Sequence, residues 1–213
     1  MSTFRDFSRE DLSDKFGLHQ KKECAILTQW LSSNIQLDAL EEQALERLRK
    51  RANDYIETWN EEELKLRFIS LLIDLVDYDN PHYKIFAERH LTAVIKGISI
   101  SGKVDFLLAS GEFKHRKPYF CIHEYKAEFG TSPNDPRAQL LTEMLVAQVL
   151  NEHERPIYGA YITGRNWFFV VLEGEEYCVS KDYSVTRKNE LETIFKVLKG
   201  LKDLIQMDSN QNK

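Results

Sequence analysis

The chain predicts an α/β fold, a mixed β-sheet flanked by helices, with a helical extension on its N-terminal side. Three observations predict it. Patterned segments follow the order helices, three or so strands, a buried helix, two or three strands, helix. With 213 residues and 42% hydrophobic composition, the chain can bury one substantial core without disulfide or metal staples. Charged residues also stand inside apolar, strand-like runs, where burial is costly unless a partner or a function compensates.

Residues 1–58 form the predicted extension. Residues 19–35 and 37–58 carry helical patterning, with Ile26, Trp30 and Leu31 in the first stretch and Leu37, Leu40, Ala44, Leu48, Ala52, Tyr55 and Ile56 in the second. Two helices, arranged as a hairpin, are expected. The charge-rich run Glu41 to Lys50 includes Glu46 and Lys50 at i,i+4 spacing, which reads as a solvated helix face; a partner-binding or dimerisation face is the alternative.

The core is expected over residues 59–207. A helix should run from Asn60, its N-cap, to Val76, with acids in its first turn and Leu64, Leu66, Phe68, Ile69, Leu71, Leu72, Ile73 and Leu75 as apolar positions. Phe86 to Ala109 is rich in β-branched and aromatic residues and is broken near Lys96-Gly97 and Ser101-Gly102, which suggests a hairpin or meander. Residues 119–128 make the next strand. The loop Ser132 to Asp135 ends in an N-cap followed by Pro136 at the first helical position, so a largely buried helix should reach Asn151. Strands at 158–163 and 167–172 flank Gly164-Arg165-Asn166, and a shorter strand lies near Tyr177. An amphipathic helix from about Asn189 to Met207 and a polar tail at 208–213 close the chain.

Cys24, Cys121 and Cys178 form neither a disulfide framework nor a CxxC or Cys/His zinc pattern, so a reducing compartment and structural thiols are expected. The N-terminus lacks an apolar signal core, and no stretch approaches the roughly 20 apolar residues of a membrane span. A soluble, cytoplasmic protein without membrane partners is the expectation. The net charge of −5 argues against a protein that coats polyanions but not against an enzyme that grips nucleic acid locally.

The densest chemistry lies in Gly102 to Leu108 and Phe120 to Lys126. On a strand, Glu124 and Lys126 share a face with Phe120 and Ile122, spaced roughly 6 to 7 Å apart, and Asp105 shares one with Leu107 and Ala109. Two strand-borne acids beside a lysine point to a divalent-metal site. His123 falls on the face opposite Glu124 and reads as a core histidine. The basic run Lys114-His115-Arg116-Lys117 is either a solvated hairpin tip beside these strands or a phosphate grip, and Tyr158, Tyr161, Trp167, Phe168 and Phe169 read as sheet core. In the helix after Asn60, Glu61 shares a stripe with Leu64 and Phe68, Glu62 with Leu66 and Ile69, and Glu63 with Arg67 and Ser70. Glu61 is therefore favoured as the inward acid and Glu62 second, while Glu63 faces water. The alternative is that all three merely complement the helix dipole.

Glu61/Glu62, Asp105, Glu124-Tyr125-Lys126 and Gln139, in this order, resemble the PD-(D/E)XK nuclease superfamily over roughly residues 60–172, and look most like its restriction-endonuclease-like subset among uncharacterised bacterial proteins. The resemblance implies a restriction-endonuclease-like sheet, Mg2+ or Mn2+ as cofactor, and hydrolysis of phosphodiester bonds, in DNA rather than RNA. By the same resemblance, Asp105, Glu124 and Glu61 would hold the metal with the Tyr125 carbonyl. Lys126 would orient or help deprotonate the attacking water, and Gln139 would position that water or a substrate phosphate. The chain departs from the pattern at Val104, which stands where a proline would precede the acid. Two other functions remain open: a catalytically inert nuclease-fold binding protein, and an acid/base enzyme that uses Glu124 and Lys126 on a small molecule. A homodimer, common among nucleases that cut both strands, is also open.

Overall fold

A computed structural model describes residues 2–129, 135–152 and 155–211. Its centre is a mixed, open sheet of eight strands: β1 (His19–Gln20), β2 (Lys84–Ile95), β3 (Ile98–Ser110), β4 (Arg116–Lys126), β5 (Ile157–Thr163), β6 (Asn166–Glu173), β7 (Glu176–Val179) and β8 (Tyr183–Ser184). The order is β1-β7-β6-β5-β4-β3-β2, with β8 paired to β6. Among these strands, β4–β5 and β1–β7 pair in parallel and the other pairs are antiparallel. A parallel pair needs a crossover, and α6 (Pro136–Leu150) supplies it between β4 and β5.

Helices cover both faces. On one side, α6 packs with α1 (Arg9–Phe16) and the N-terminal 3-10 turn Phe4–Asp6 over Val104, Leu107, Ile122 and Val170. On the other, α2 (Ala25–Leu31), α3 (Ala39–Tyr55), α5 (Ser70–Val76) and α7 (Lys188–Gln211) enclose Phe106, Leu108, Tyr125 and Phe169. Trp30 is fully buried in this second layer, donates its indole N–H to the Val197 carbonyl at 2.8 Å, and lies edge-on to Tyr158 and Phe169. Among the described residues, no helix is long and apolar enough to cross a membrane.

Local chemistry sets most element boundaries. The Asp38 carboxylate accepts from the Leu40 and Glu41 amides to start α3, and Asn60 accepts from the Glu63 amide to start α4 (Glu61–Leu64). Asp135 accepts from the Arg137 amide at 3.0 Å, with Pro136 beginning α6. The rest of the expected loop, Ser132 to Asn134, lies outside the described residues.

Several expectations are corrected. The helix foreseen over 19–35 is split, because His19–Gln20 joins the sheet beside β7 and only Ala25–Leu31 is helical. Ahead of it stands α1, capped by Ser8, which periodicity over so short a stretch does not reveal. The final helix continues past Met207 to Gln211. In the Asn60–Val76 helix, α4 passes through a π-helical turn, Lys65–Ile69, into α5. The extra residue in that turn shifts the stripe, leaving Leu66 at 71% and Leu71 at 42% exposure. Phe120 does not share a face with Ile122, because the β3–β4 register shifts between Leu108 and Ala109 and moves its ring to the opposite layer. The basic run Lys114–Lys117 straddles the β3–β4 turn, about 30 Å along β4 from Lys126.

Ser101-Gly102 does not interrupt the sheet either: β3 runs through it and reverses only at Lys96-Gly97, where φ is +47° and +81°. Gly102 is needed for another reason. A Cβ there would stand 2.6 Å from Cδ2 of Phe4, whose ring packs onto β3 where Ser2 pairs beside Ile100. Gly102→Ala is therefore expected to push Phe4 outward and cost about 1–3 kcal/mol, read as a lower unfolding midpoint in denaturant.

Candidate active site

The site forms where β2 and β3 depart from regular pairing. Their register runs from Ala87 opposite Phe106 to Arg89 opposite Val104, leaving Glu88 and Asp105 out of the ladder, and Glu88 has φ of +54°. Side-chain alternation breaks at this point. Val104 lies in the same layer as Leu107 and Ala109, whereas Phe106 and Leu108 lie in the other. Such an irregularity bends both strands and re-aims side chains, and a non-glycine residue in the left-handed region persists only where its surroundings hold it. Asp105 consequently borders both layers instead of sharing a regular face with Leu107 and Ala109.

Each oxygen of Asp105 has a partner: Oδ2 accepts from the Tyr125 amide at 3.0 Å, and Oδ1 accepts from Lys65 Nζ at 2.9 Å. Lys65 begins the π-helical turn and also reaches Glu61 at 3.1 Å, Glu62 at 3.3 Å and Glu88 at 3.5 Å. On β4, Glu124 is 1% exposed and paired with Lys126, whose Nζ also donates to the Tyr125 carbonyl at 3.1 Å and stands 3.6 Å from Glu61. Glu61 thus bridges the two lysines, while the Glu62 side chain is 82% exposed and touches only Lys65 within this cluster. Glu63 turns back to the Asn60 amide.

Gln139 enters from α6. It lines the same polar cleft as Glu61 and Asp105 and donates to Glu143 Oε1 at 3.1 Å. Both side chains are nearly or fully buried, and Gln139 Oε1 and Glu143 Oε2 have no hydrogen-bond partner among the described residues. His123 lies on the other face, stacked on Phe106 with centroids 4.3 Å apart and hydrogen-bonded to the Tyr125 hydroxyl at 3.1 Å.

Three members escape a reading of strand and helix patterns. Lys65 sits four residues after Glu61, a spacing that signals an ion pair but not its reach to Asp105. Glu143 is the only acid within α6, one turn after Gln139, and this was a usable signal. Glu88 had none, because its orientation depends on the backbone irregularity.

Electrostatically the cluster carries more carboxyl than ammonium groups. Burial pushes the Glu124 carboxyl up to about 7, with the neighbouring Asp105 charge adding to it and Lys126 only partly opposing. Glu143 is held well above the carboxylate range by burial and then by Glu124. Burial also raises Asp105, against the pull of Lys65. For Lys65, burial acts to lower the ammonium, but the hydrogen bond and charge of Asp105, joined by Glu61, outweigh it and hold the group above the ordinary lysine range. The Lys103 hydrogen bond, at 2.5 Å, lowers Glu88. Burial alone drives His123 down to about 3.

Two concavities meet at Glu62, Lys65, Glu88 and Asp105. One, about 430 Å³, is polar and includes Arg5, Lys103 and Gln139. The other, about 340 Å³, has apolar walls from Ile69, Ile73, Ile85, Ala87 and Phe106. Among the described residues, no group of three or more His, Cys, Asp or Glu side chains stands in a metal-holding arrangement, and lysine ammonium groups stand between the acids instead. The orphaned oxygens of Gln139 and Glu143 and the upward-shifted carboxyl groups nevertheless suit an added cation, which would relieve the excess negative charge. No family model matches the chain, and no curated protein matches it.

Proposed function

We propose that this protein is a Mg2+- or Mn2+-dependent nuclease of the restriction-endonuclease-like fold, hydrolysing phosphodiester bonds with DNA as its first substrate class. One observation carries this: Glu61, Asp105, Glu124 and Lys126 are brought together from α4, β3 and β4 by ion pairs through Lys65 and Lys126, and Glu61 and Asp105 of this group line a polar cleft. Their oxygens, with the Tyr125 carbonyl, are hard donors of the kind these cations take, and Asp105, Glu124, Glu61 and that carbonyl would hold the ion. When bound, it would supply charge neutralisation at the phosphate and an acidified water.

The chain's own residues do the rest. The Lys126 ammonium, held by Glu124, would orient the attacking water and stabilise charge developing on the phosphate oxygens. The carboxamide of Gln139, its oxygen without a partner among the described residues, would fix that water or a phosphate oxygen. Arg5 and Lys103 in the same cleft would grip flanking phosphates. Lys65 would release Asp105 to the cation and keep Glu61 as partner, remaining a second positive charge for the substrate.

The test is incubation of the purified chain with single-stranded and duplex DNA in Mg2+, Mn2+ or EDTA. Cleavage that needs the metal and disappears in Asp105→Asn supports the assignment. No cleavage under any of these conditions, or cleavage unaffected by EDTA, overturns it. The inert-scaffold reading is favoured by a different observation, namely that Lys65 and Lys126 already neutralise the acids. It predicts that neither ion raises the melting temperature, whereas the nuclease reading predicts a Mn2+-dependent rise that Asp105→Asn abolishes.

A further inference from the structure

The apolar concavity beside the acid and lysine cluster has no role in the chemistry above. It is about 340 Å³, within the range of small-ligand pockets, and lies between the helix running from Lys65 to Asp74 and the irregular stretch of β2 and β3. Ile69, Ile73, Ile85, Ala87 and Phe106 form its walls.

Its rim is acidic. Glu62, Asp74, Glu88 and Asp105 border it, and Lys65, the one cation lining it among the described residues, is already engaged by three of them. A phosphate placed here would meet carboxylates. The cations Arg5 and Lys103 line the neighbouring polar cleft instead. What fits apolar walls with an acceptor-rich rim is a flat, uncharged group that carries N–H donors. Nucleobase amino groups donate to carboxylates in this way, and base faces pack on apolar side chains. Because both concavities share Lys65, Glu88 and Asp105, a base seated in this one belongs to a nucleotide whose phosphate lies at the cluster.

We infer that this slot receives an unpaired nucleobase adjacent to the scissile phosphate, so that the preferred substrate is single-stranded nucleic acid. The inference rests on the nuclease reading and adds the substrate class. A base in a duplex would first have to leave its stack, which costs free energy that a single strand does not spend.

The experiment uses the full chain and a fluorescently labelled single-stranded oligonucleotide, with binding read by anisotropy in Ca2+ and cleavage read in Mn2+. A set of oligonucleotides, each lacking one base at a different position, is compared with the intact strand and with its duplex. Loss of one particular base is expected to weaken binding about tenfold, and the duplex is expected to bind more weakly than the single strand. Ala87→Leu, which fills the slot from an exposed strand position, is expected to abolish the difference between intact and base-lacking strands. Ile73→Trp should do the same, but Ile73 is buried, so Ala87→Leu decides if that variant does not fold. Equal affinity for every base-lacking strand, duplex binding as tight as single-strand binding, or discrimination that survives Ala87→Leu would overturn the slot. Cleavage without discrimination removes the slot and leaves the nuclease standing. Discrimination without cleavage does the reverse.

Discussion

Glu124→Gln is expected to reduce metal-dependent hydrolysis by roughly 10³-fold or more, while the protein keeps or gains thermal stability at pH 7. The two effects separate because of where Glu124 sits. It is 1% exposed, close enough to Asp105 for that charge to oppose its ionisation, and paired with Lys126. Removing its charge takes away the partner of Lys126 and, on the proposed reading, a ligand of the cation, but it also relieves repulsion within a buried group of carboxyls. Lys126 keeps the Tyr125 carbonyl at 3.1 Å and Glu61 at 3.6 Å, so it is not left bare. Lys126→Met should lose activity to a similar degree. Glu61→Gln should lose about 100-fold, since Glu61 touches both lysines, and exposed Glu62→Gln should lose less than tenfold. Single-turnover cleavage alongside a thermal melt measures both quantities, and full activity surviving in Glu124→Gln would sink the assignment.

The second large effect concerns pH. An acid whose folded pKa is raised binds more protons folded than unfolded between the two values, so stability falls as pH climbs through that window. For Glu124 the window runs from the ordinary 4.5 to about 7, and Glu143 extends it upward. His123 acts oppositely. Its folded pKa is lowered to about 3, so stability is lost as pH falls below 6.5. Glu124 and Glu143 together outweigh His123 between pH 4.5 and 6.5, so wild-type stability in EDTA should fall with rising pH from about 4.5, and more steeply above 6.5 where the histidine no longer opposes them. A comparison of wild type with Glu124→Gln cancels the histidine. The variant's relative stability should rise by a few kcal/mol from pH 4.5 to 7, measured by guanidinium unfolding in EDTA. Mn2+ should remove much of the wild-type decline above pH 6.5 by favouring the ionised carboxylates. A difference that stays flat with pH would mean Glu124 is not held in the environment described.

The elements legible in the sequence were those written in local chemistry. Asn60, Asp135-Pro136 and Lys96-Gly97 announce a helix start, another helix start and a reversal, because caps and turns are satisfied by atoms within a few residues. The spacing of Glu124 and Lys126 likewise places both on one face of any strand, and they are paired on β4. Illegible were β1, which pairs with a strand more than 150 residues away, and Phe4, whose place depends on the missing side chain at Gly102. The Phe120 expectation failed because a register shift is invisible to simple alternation.

The sequence by itself determined the α/β class, the strand carrying Glu124 and Lys126, and the buried helix carrying Gln139, since each follows from periodicity and capping over short spans. Only tertiary structure decided that Lys65 reaches Asp105 forty residues away, that Glu88, left out of the β2–β3 ladder, reaches the same lysine, and that Glu143 completes the acid cluster from α6. Those outcomes depend on a π-helical turn, a paired strand irregularity and burial by a crossover helix. Each of these is stabilised by contacts between distant segments, which no local pattern encodes.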